Sequence, residues 1–377
     1  MKYLLHILLI PLLMHYFNCS FQFTLFNRMN KEKKGENLII SPLSIFQVLS
    51  LATNGAKGET KSEMLDVLQS DNIDELNEIN YKILSIVKDF STVDIANAVM
   101  TKFTPLEKFC NIADKYLAPI EPLKSVEQVN NWCSNKTHGK IDKILETLNP
   151  LTVMILLNAI YFKGEWISQF EHELTKNLSF FNFGNEEKQV ETMTQIEYFN
   201  YYEDKKVQIV ELKFKEDFMS ALIVLPSDKV DINTYINNLQ ISDDEFPNLL
   251  KKLSFMKVHL QLPKFELKFS EELNDYLIDL GMYNAFSDVD ADFSGLREEG
   301  GLYISQVIHK TFLKINEEGT EAAAVTIVTF DENAIDMPDQ EKIYDMKVNR
   351  PFLFILRNSK LPAGHDMIFM AKIEKIE

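Results

Sequence analysis

NEEGTEAAAVTIV, residues 316–328, is the stretch on which the fold of this chain turns. Past Gly319 its side chains alternate as on a strand: Thr320, Ala322, Ala324, Thr326 and Val328 fall on one face, and Glu321, Ala323, Val325 and Ile327 on the other. The first face carries no charge. Small uncharged side chains can slide between strands that are already packed, whereas a bulky inward residue would cost about 1 to 3 kcal/mol in overpacking and a buried ion more. A surface helix or linker is the competing reading, because alanine is the best helix former. The flanking sequence decides between them.

With 377 residues and 46% hydrophobic content, the chain can bury one large core or two ordinary ones without disulfide bracing. A formal net charge of -17 argues against a nucleic-acid or anionic-membrane surface, since both call for basic patches. At the N-terminus, Lys2 precedes the apolar run Tyr3 to Leu13, followed by Asn18, Cys19 and Ser20. This layout predicts a secretory signal peptide over residues 1–19, too short to span a bilayer, and hence a secreted, extracellular protein. The alternative is an apolar first helix that stays in place, because the pattern continues through Phe21, Phe23, Leu25 and Phe26. Three cysteines, Cys19, Cys110 and Cys133, imply no disulfide framework. Asn135-Lys-Thr137 and Asn177-Leu-Ser179 fit N-glycosylation acceptors in a secreted glycoprotein. The sequence holds no G-x-S-x-G, H-E-x-x-H, C-x-x-C or G-x-G-x-x-G pattern, so no catalytic residue, metal ligand or cofactor site is assigned.

Along the chain, Phe21 to Met29 predicts an amphipathic helix, and Asn37 to Met64 a short buried strand, a turn at Ser41-Pro42 and a helix with Ser41 and Ser44 at its start. Helical patterns follow over Lys61 to Asp89, Leu106 to Leu117, Val126 to Cys133 and from Ile141 to Leu148, with a strand at Val93 to Met100. VMILLNAIYF, from Val153, is apolar without alternation and predicts a strand covered on both faces. Asn158 inside it must find partners in a buried polar network. Strands and hairpins are expected over Phe180 to Leu225, a helix over Ile232 to Leu250, one strand over Lys257 to Phe269 and a helix over Glu271 to Leu280. Further strands are expected over Leu302 to Ile315, Val348 to Leu356 and Met367 to Ile373. There is no repeat, low-complexity tract or linker, which favours a single domain over residues 20–377.

Seven separated stretches together resemble the serpin family, in the family's order, from Asn37 to Ile373. They are NLIISPLSI (37–45), NGAKGET (54–60), NNWCSNKTHGKI (130–141), LLNAIYFKGEW (156–166), LPKFEL (262–267), VIHKTFLKINEEGTEAAA (307–324) and NRPFLFIL (349–356). The resemblance implies a mixed α/β fold of three β-sheets and about eight or nine helices, with an exposed reactive loop over residues 317–347. It also implies a protease inhibitor rather than an enzyme. A protease cuts the loop, forms an acyl-enzyme and is trapped as the loop inserts into the main sheet. On this resemblance Glu317, Gly319, Thr320, Glu321, Ala322, Ala323 and Ala324 match the loop hinge, and Ser41, Ser44, Asn158 and His309 the polar network behind the sheet centre. Trp166 and Lys264 match the top of the sheet, where Lys264 is expected to pair with Glu317. His309 is read as a buried partner of Asn158 and serine, not a catalytic base, because no nucleophile motif accompanies it.

Family spacing from Gly319 puts the scissile bond between Asn333 and Ala334, which suits an asparagine-specific cysteine protease. If the extra loop length lies before the cut, the bond is Met337-Pro338, which suits a chymotrypsin-like or elastase-like serine protease; Phe330 is a third candidate. The chain departs from the family in a segment between Thr60 and Asn130 that is shorter than usual, in an acidic region over Asn72 to Asp89, so heparin activation is not expected, in Ala371, where many members have glycine, and in a loop after the hinge that is longer than usual and unusually acidic. A monomer is expected. The alternative within the resemblance is a serpin kept as a carrier, storage or chaperone protein, against which the small residues at 320, 322 and 324 stand.

Overall fold

Helix α1 (Phe21–Glu32) turns Phe21, Leu25, Phe26 and Met29 into the core, and a turn leads to strand β1 (Leu38–Ile40). The computed structural model describes residues 20–88, 93–141, 143–150, 152–216, 218–239, 245–320 and 342–377. The expected signal peptide therefore lies outside the described residues. Helix α2 (Pro42–Thr53) is buried along its whole length. The Ser41 hydroxyl caps it by accepting from the Ser44 amide at 3.4 Å, and Pro42 supplies the fixed φ favoured in a first turn. Inside this helix Ser50 and Thr53 donate to the carbonyls four residues back, Phe46 O (2.6 Å) and Leu49 O (2.8 Å), which pairs hydroxyls buried within the helix packing.

Helices α3 (Gly58–Leu68) and α4 (Ile73–Val87) follow, the second started by the Asn72 side chain, which accepts from the amides of Asp74 and Glu75. Strand β2 (Val93–Thr101), helix α5 (Glu107–Lys115), strand β3 (Ile120–Pro122) and helix α6 (Val126–Lys136) lead to strand β4 (Met154–Phe162). The helix expected up to Leu148 is absent from the described residues of that segment. Asn130 of α6 accepts from the Ile144 and Leu145 amides and donates to the Leu145 carbonyl, so one side chain takes groups that a helix would pair with itself. Ile141, Ile144 and Leu145 are buried nonetheless.

Strands β5 (Lys176–Asn182), β6 (Glu186–Glu203), β7 (Val207–Lys213) and β8 (Met219–Pro226) precede helices α7 (Ile232–Leu239) and α8 (Glu245–Leu250). The single strand expected over 257–269 is two, β9 (Ser254–Pro263) and β10 (Phe265–Glu272), which belong to different sheets. The helix expected from Glu271 shortens to α9 (Asn274–Asp279), because Glu271 and Glu272 extend β10 opposite His309 and Ile308. Strand β11 (Gln306–Ile315) ends just before the residues expected to form the hinge. Beyond the loop come β12 (Tyr344–Lys347), β13 (Phe352–Asn358) and β14 (Met367–Ile373), with Pro351, which has no amide to give, between the first two.

One sheet has the order β10-β11-β4-β2-β3. The other runs β1-β14-β13-β8-β7-β6-β9-β12, with β5 also paired to β6. The 18-residue β6 pairs with β5, β9 and β7 along its length, so strands that the resemblance counts as two sheets form one hydrogen-bonded network. Helix α2 packs between them, against β4 and β14. Ala371 is fully buried in β14, opposite Ile39 and Phe354.

Candidate functional site

In the five-stranded sheet, β4 is antiparallel to β2 and β11 is antiparallel to β10, yet β4 and β11 lie side by side in parallel. Their register runs from Gln306 opposite Ile155 to Thr311 opposite Ile160. Above Thr311, residues Phe312 to Ile315 keep β10 as partner but leave β4. This register places Asn97, Asn158 and His309 in one row across three strands.

That row is fully hydrogen-bonded. Ser44 Oγ donates to Asn158 Oδ1 at 2.8 Å, and Asn158 Nδ2 donates to Asn97 Oδ1 at 2.6 Å. The Ser41 amide donates to His309 Nε2 at 3.0 Å, which assigns the ring proton to Nδ1; Nδ1 then donates to Asn158 Oδ1 at 2.6 Å. His309 is completely buried, and burial pulls its pKa down to about 3, so the neutral ring is the form present. Ser41, Ser44, Asn158 and His309 thus meet as the sequence reading expected. Asn97 was missed; its only signal is an amide in the apolar run ANAV.

At the top of the seam the chain turns back on itself at Asn316 to Gly319. The Asn316 amide donates to the Gly319 carbonyl at 2.9 Å, and Gly319 holds φ at +138° with its Cα against the Gly164 carbonyl, where a Cβ would collide. Thr320 follows, 1% exposed, its amide donating to Gly164 O at 2.7 Å and its hydroxyl accepting from the Gly164 amide at 2.5 Å. The reading of the sequence has this position buried on insertion; it is already buried at the end of β4.

Glu317 anchors this turn. Its carboxylate, 3% exposed, accepts from Thr175 Oγ1 at 2.8 Å and lies 3.3 Å from Lys264 Nζ, the pairing expected from the sequence. Lys264 sits at the β9–β10 junction and also reaches Glu191 at 3.5 Å. Burial pushes the Glu317 carboxyl up, but the Thr175 hydroxyl, its own backbone amide and Lys264 together hold it below the usual carboxylate range. Trp166 braces the turn twice: its amide donates to Glu318 O at 2.8 Å and its indole to Asn316 O at 3.1 Å, while its ring stacks on Phe214. His172, which the sequence reading did not single out, lies 2.8 Å from Glu318 and 3.7 Å from Glu317.

Glu321, Ala322, Ala323, Ala324, Phe330, Asn333, Ala334, Met337 and Pro338 lie outside the described residues. Asn135 and Asn177 are both exposed, on α6 and β5. No helix among the described residues is long and apolar enough to cross a membrane.

Residues 17–376 match the protein-family model described as serpin (serine protease inhibitor). The chain belongs to the serpin family. This serpin is 32% identical to a leukocyte elastase inhibitor of Xenopus laevis over 90% of its own length and 94% of that protein's. It resembles the native state of the thermophilic serpin tengpin, with a TM-score of 0.84 and 32% identity over 95% of this chain and 92% of that one. It also resembles thyroxine-binding globulin in complex with thyroxine, with a TM-score of 0.82 and 26% identity over 96% of this chain and 98% of that one. The family is one of protease inhibitors rather than enzymes, and the mixed α/β serpin fold expected from the sequence is the fold observed.

Proposed function

We propose that this serpin is a secreted suicide substrate that traps a serine or cysteine endopeptidase as a covalent acyl-enzyme. Residues 1–19 act as its signal peptide, residues 20–377 form a single domain, and residues 317–347 are the reactive loop. The observation that carries the proposal is the parallel seam. A strand continuing from the top of β11 and folding down between β11 and β4 runs antiparallel to both, which is possible only because those two strands are parallel to each other. Thr320, seated at Gly164, is the first residue of that descending strand, and the small side chains at Ala322 and Ala324 follow it inward. Glu317, Gly319, Thr320, Glu321, Ala322, Ala323 and Ala324 form the hinge. Ser41, Ser44, Asn158 and His309 lock the seam, and Trp166 and Lys264 hold its upper end.

The bond cut is Asn333-Ala334, with Met337-Pro338 as the alternative. The likeness to a leukocyte elastase inhibitor supports an elastase-like or chymotrypsin-like target, and the Met337 bond suits such an apolar pocket. Asn135 and Asn177, exposed within their sequons, are available for glycosylation. The test is incubation with a panel of proteases, followed by detergent electrophoresis and mass measurement of the released C-terminal peptide. A complex that survives boiling, with a peptide beginning at Ala334 or Pro338, is the expected result. Cleavage by every protease without any such complex would overturn inhibition.

A carrier role is the second reading, favoured by a cavity of 590 Å³ between α1, α8 and the β13–β14 connection. Phe21, Phe23 and Phe246 supply apolar walls, and Arg357 and His365 polar ones. The relative solved with thyroxine shows that the family's fold can carry a small ligand. Saturable binding of an aromatic carboxylate, lost on narrowing the cavity, together with no trapping, would favour this reading.

A further inference from the structure

We infer that His172, Glu317 and Glu318 form a binding site for a zinc-class divalent cation, and that the bound ion clamps the hinge to the turn beyond β4 and slows loop insertion. One imidazole nitrogen and two carboxylate oxygens, one from each residue, lie within 4.8 Å of one another. They come from two chain segments, the 3-10 turn His172–Leu174 and the hinge after β11. Around a tetrahedral ion with bonds of about 2 Å, ligand atoms stand about 3.3 Å apart, so the three need only small side-chain rotations to close on it. A fourth position is left for water.

The backbone already holds the two segments in place. Phe170 donates to the Glu317 carbonyl at 3.0 Å and Trp166 to the Glu318 carbonyl at 2.8 Å. Thr175 donates at 2.8 Å to Glu317 Oε1, the same oxygen that lies 3.7 Å from His172, and so fixes the carboxylate beside the imidazole. A site whose ligands are fixed before binding loses little conformational freedom on taking its ion. Among the described residues, Lys264 is the cation paired with these carboxylates, 3.3 Å from Glu317, and it would compete. It has a second partner, the exposed Glu191 at 3.5 Å, to which it can withdraw. The imidazole selects against calcium and magnesium, which take oxygen ligands, and in favour of zinc, nickel or copper. His172 is 54% exposed, which leaves the ion a path of entry.

Two of the three ligands belong to the hinge. A bound ion is therefore released, or loses two ligands, when the hinge moves; by linkage it must favour the form in which all three are together. The clamping half of the inference rests on the proposed insertion; the binding half does not.

Isothermal titration of the metal-free, uncut protein with zinc sulfate tests the site itself. One zinc per chain is expected in the wild type, no heat with calcium chloride, about tenfold or more weaker zinc binding in His172→Ala and in Glu318→Gln, and unchanged binding in His259→Ala. Absence of zinc binding in the wild type, or binding that His172→Ala leaves intact, overturns the site. The second measurement is the rate of protease trapping with and without saturating zinc, where slower trapping is expected in the wild type and none of that slowing in His172→Ala. Equal rates in the presence of demonstrated binding overturn the clamp. If no protease is trapped in either condition while zinc binds, the inhibitory function fails and the metal site stands.

Discussion

Replacing His309 and Asn158 by alanine, singly and together, in both intact and loop-cleaved protein, measures whether the seam opens. In the intact chain the two side chains face each other across β11 and β4, 0% and 1% exposed, with His309 Nδ1 2.6 Å from Asn158 Oδ1. A buried contact of this kind gives a coupling energy of about 1 to 3 kcal/mol in a double-mutant cycle, because either truncation leaves the other group unpaired. If the cleaved loop becomes a strand between them, it adds one interstrand spacing, about 4.8 Å, and the contact widens to roughly 7 Å. Coupling should then fall to within about 0.5 kcal/mol of zero, the level at which independent sites add. Urea unfolding followed by the fluorescence of Trp132 and Trp166 gives the four stabilities in each form. The bonds from Asn158 to Asn97 and Ser44 need not break on insertion, so each alanine substitution still destabilises the cleaved form, and only the cycle isolates the seam. Equal coupling in the two forms would refute separation of β4 from β11. No coupling in the intact form would refute the hydrogen-bonded row itself.

Acid should weaken the fold through His309, which is fully buried, and His365, which is half-buried. Burial lowers the pKa of His309 to about 3 and that of His365 to about 4, both below the value of about 6.5 for an unfolded chain. Their unprotonated rings favour the native state above pH 6.5. As pH falls below that value the unfolded chain takes up protons first, and stability drops by about 1.4 kcal/mol per pH unit for each ring until about pH 4 for His365 and about pH 3 for His309. His309→Gln should remove about half of this slope between pH 6 and pH 4.5 in urea titrations, and an unchanged slope would refute the assignment. Gly319→Ala places a Cβ against the Gly164 carbonyl at a φ of +138°, and should destabilise the hinge by about 1 to 3 kcal/mol, seen as loss of exchange protection at the Thr320 amide. Thr320→Arg puts an unpaired charge where the uncut protein already buries the side chain, 1% exposed, and should destabilise the uncut protein by several kcal/mol in urea unfolding; an unchanged midpoint refutes the seating of Thr320 against Gly164.

Sequence alone made part of this architecture legible, for identifiable reasons. Asn158 stood out because an amide in a nine-residue apolar strand has to be paired, and Ser41-Pro42 because a hydroxyl before a proline starts a helix. The pairing of Glu317 with Lys264 came through the family resemblance, not from spacing, since the two are far apart in the chain. Asn97 was not legible, because nothing local tells which residues fall opposite Asn158; that is a matter of register. His172 was hidden for a similar reason, being an exposed residue brought to the hinge only by tertiary folding. The false helix before Leu148 has a physical cause too. Ile141, Ile144 and Leu145 are spaced as on a helix face, yet burial of a loop against the sheet demands the same apolar residues. The alternation from Lys257 to Phe269 reads as one strand, although its phase changes from Val258, Leu260 and Leu262 to Phe265, Leu267 and Phe269 where the chain changes sheets at Pro263-Lys264.

If the loop inserts as proposed, the seam also indicates what would set the direction of insertion and what would set its rate. Parting β4 from β11 gives up six register positions, Gln306 to Thr311, of parallel pairing, which is slightly weaker per residue than antiparallel pairing. A new strand of about ten residues between them pairs along both edges, so on the order of twenty backbone bonds replace about six; at about 1 kcal/mol net each, the difference is of the order of 10 kcal/mol, comparable with the stability of a whole domain. The His309–Asn158 contact and the Glu317–Lys264 pair are together worth a few kcal/mol at most. They are too weak to reverse that balance. Both must nevertheless break or shift before the strand can enter, so their contribution falls on the barrier. Weakening either should therefore speed spontaneous insertion of an uncut loop, while the inserted form remains the more stable one whatever those residues are.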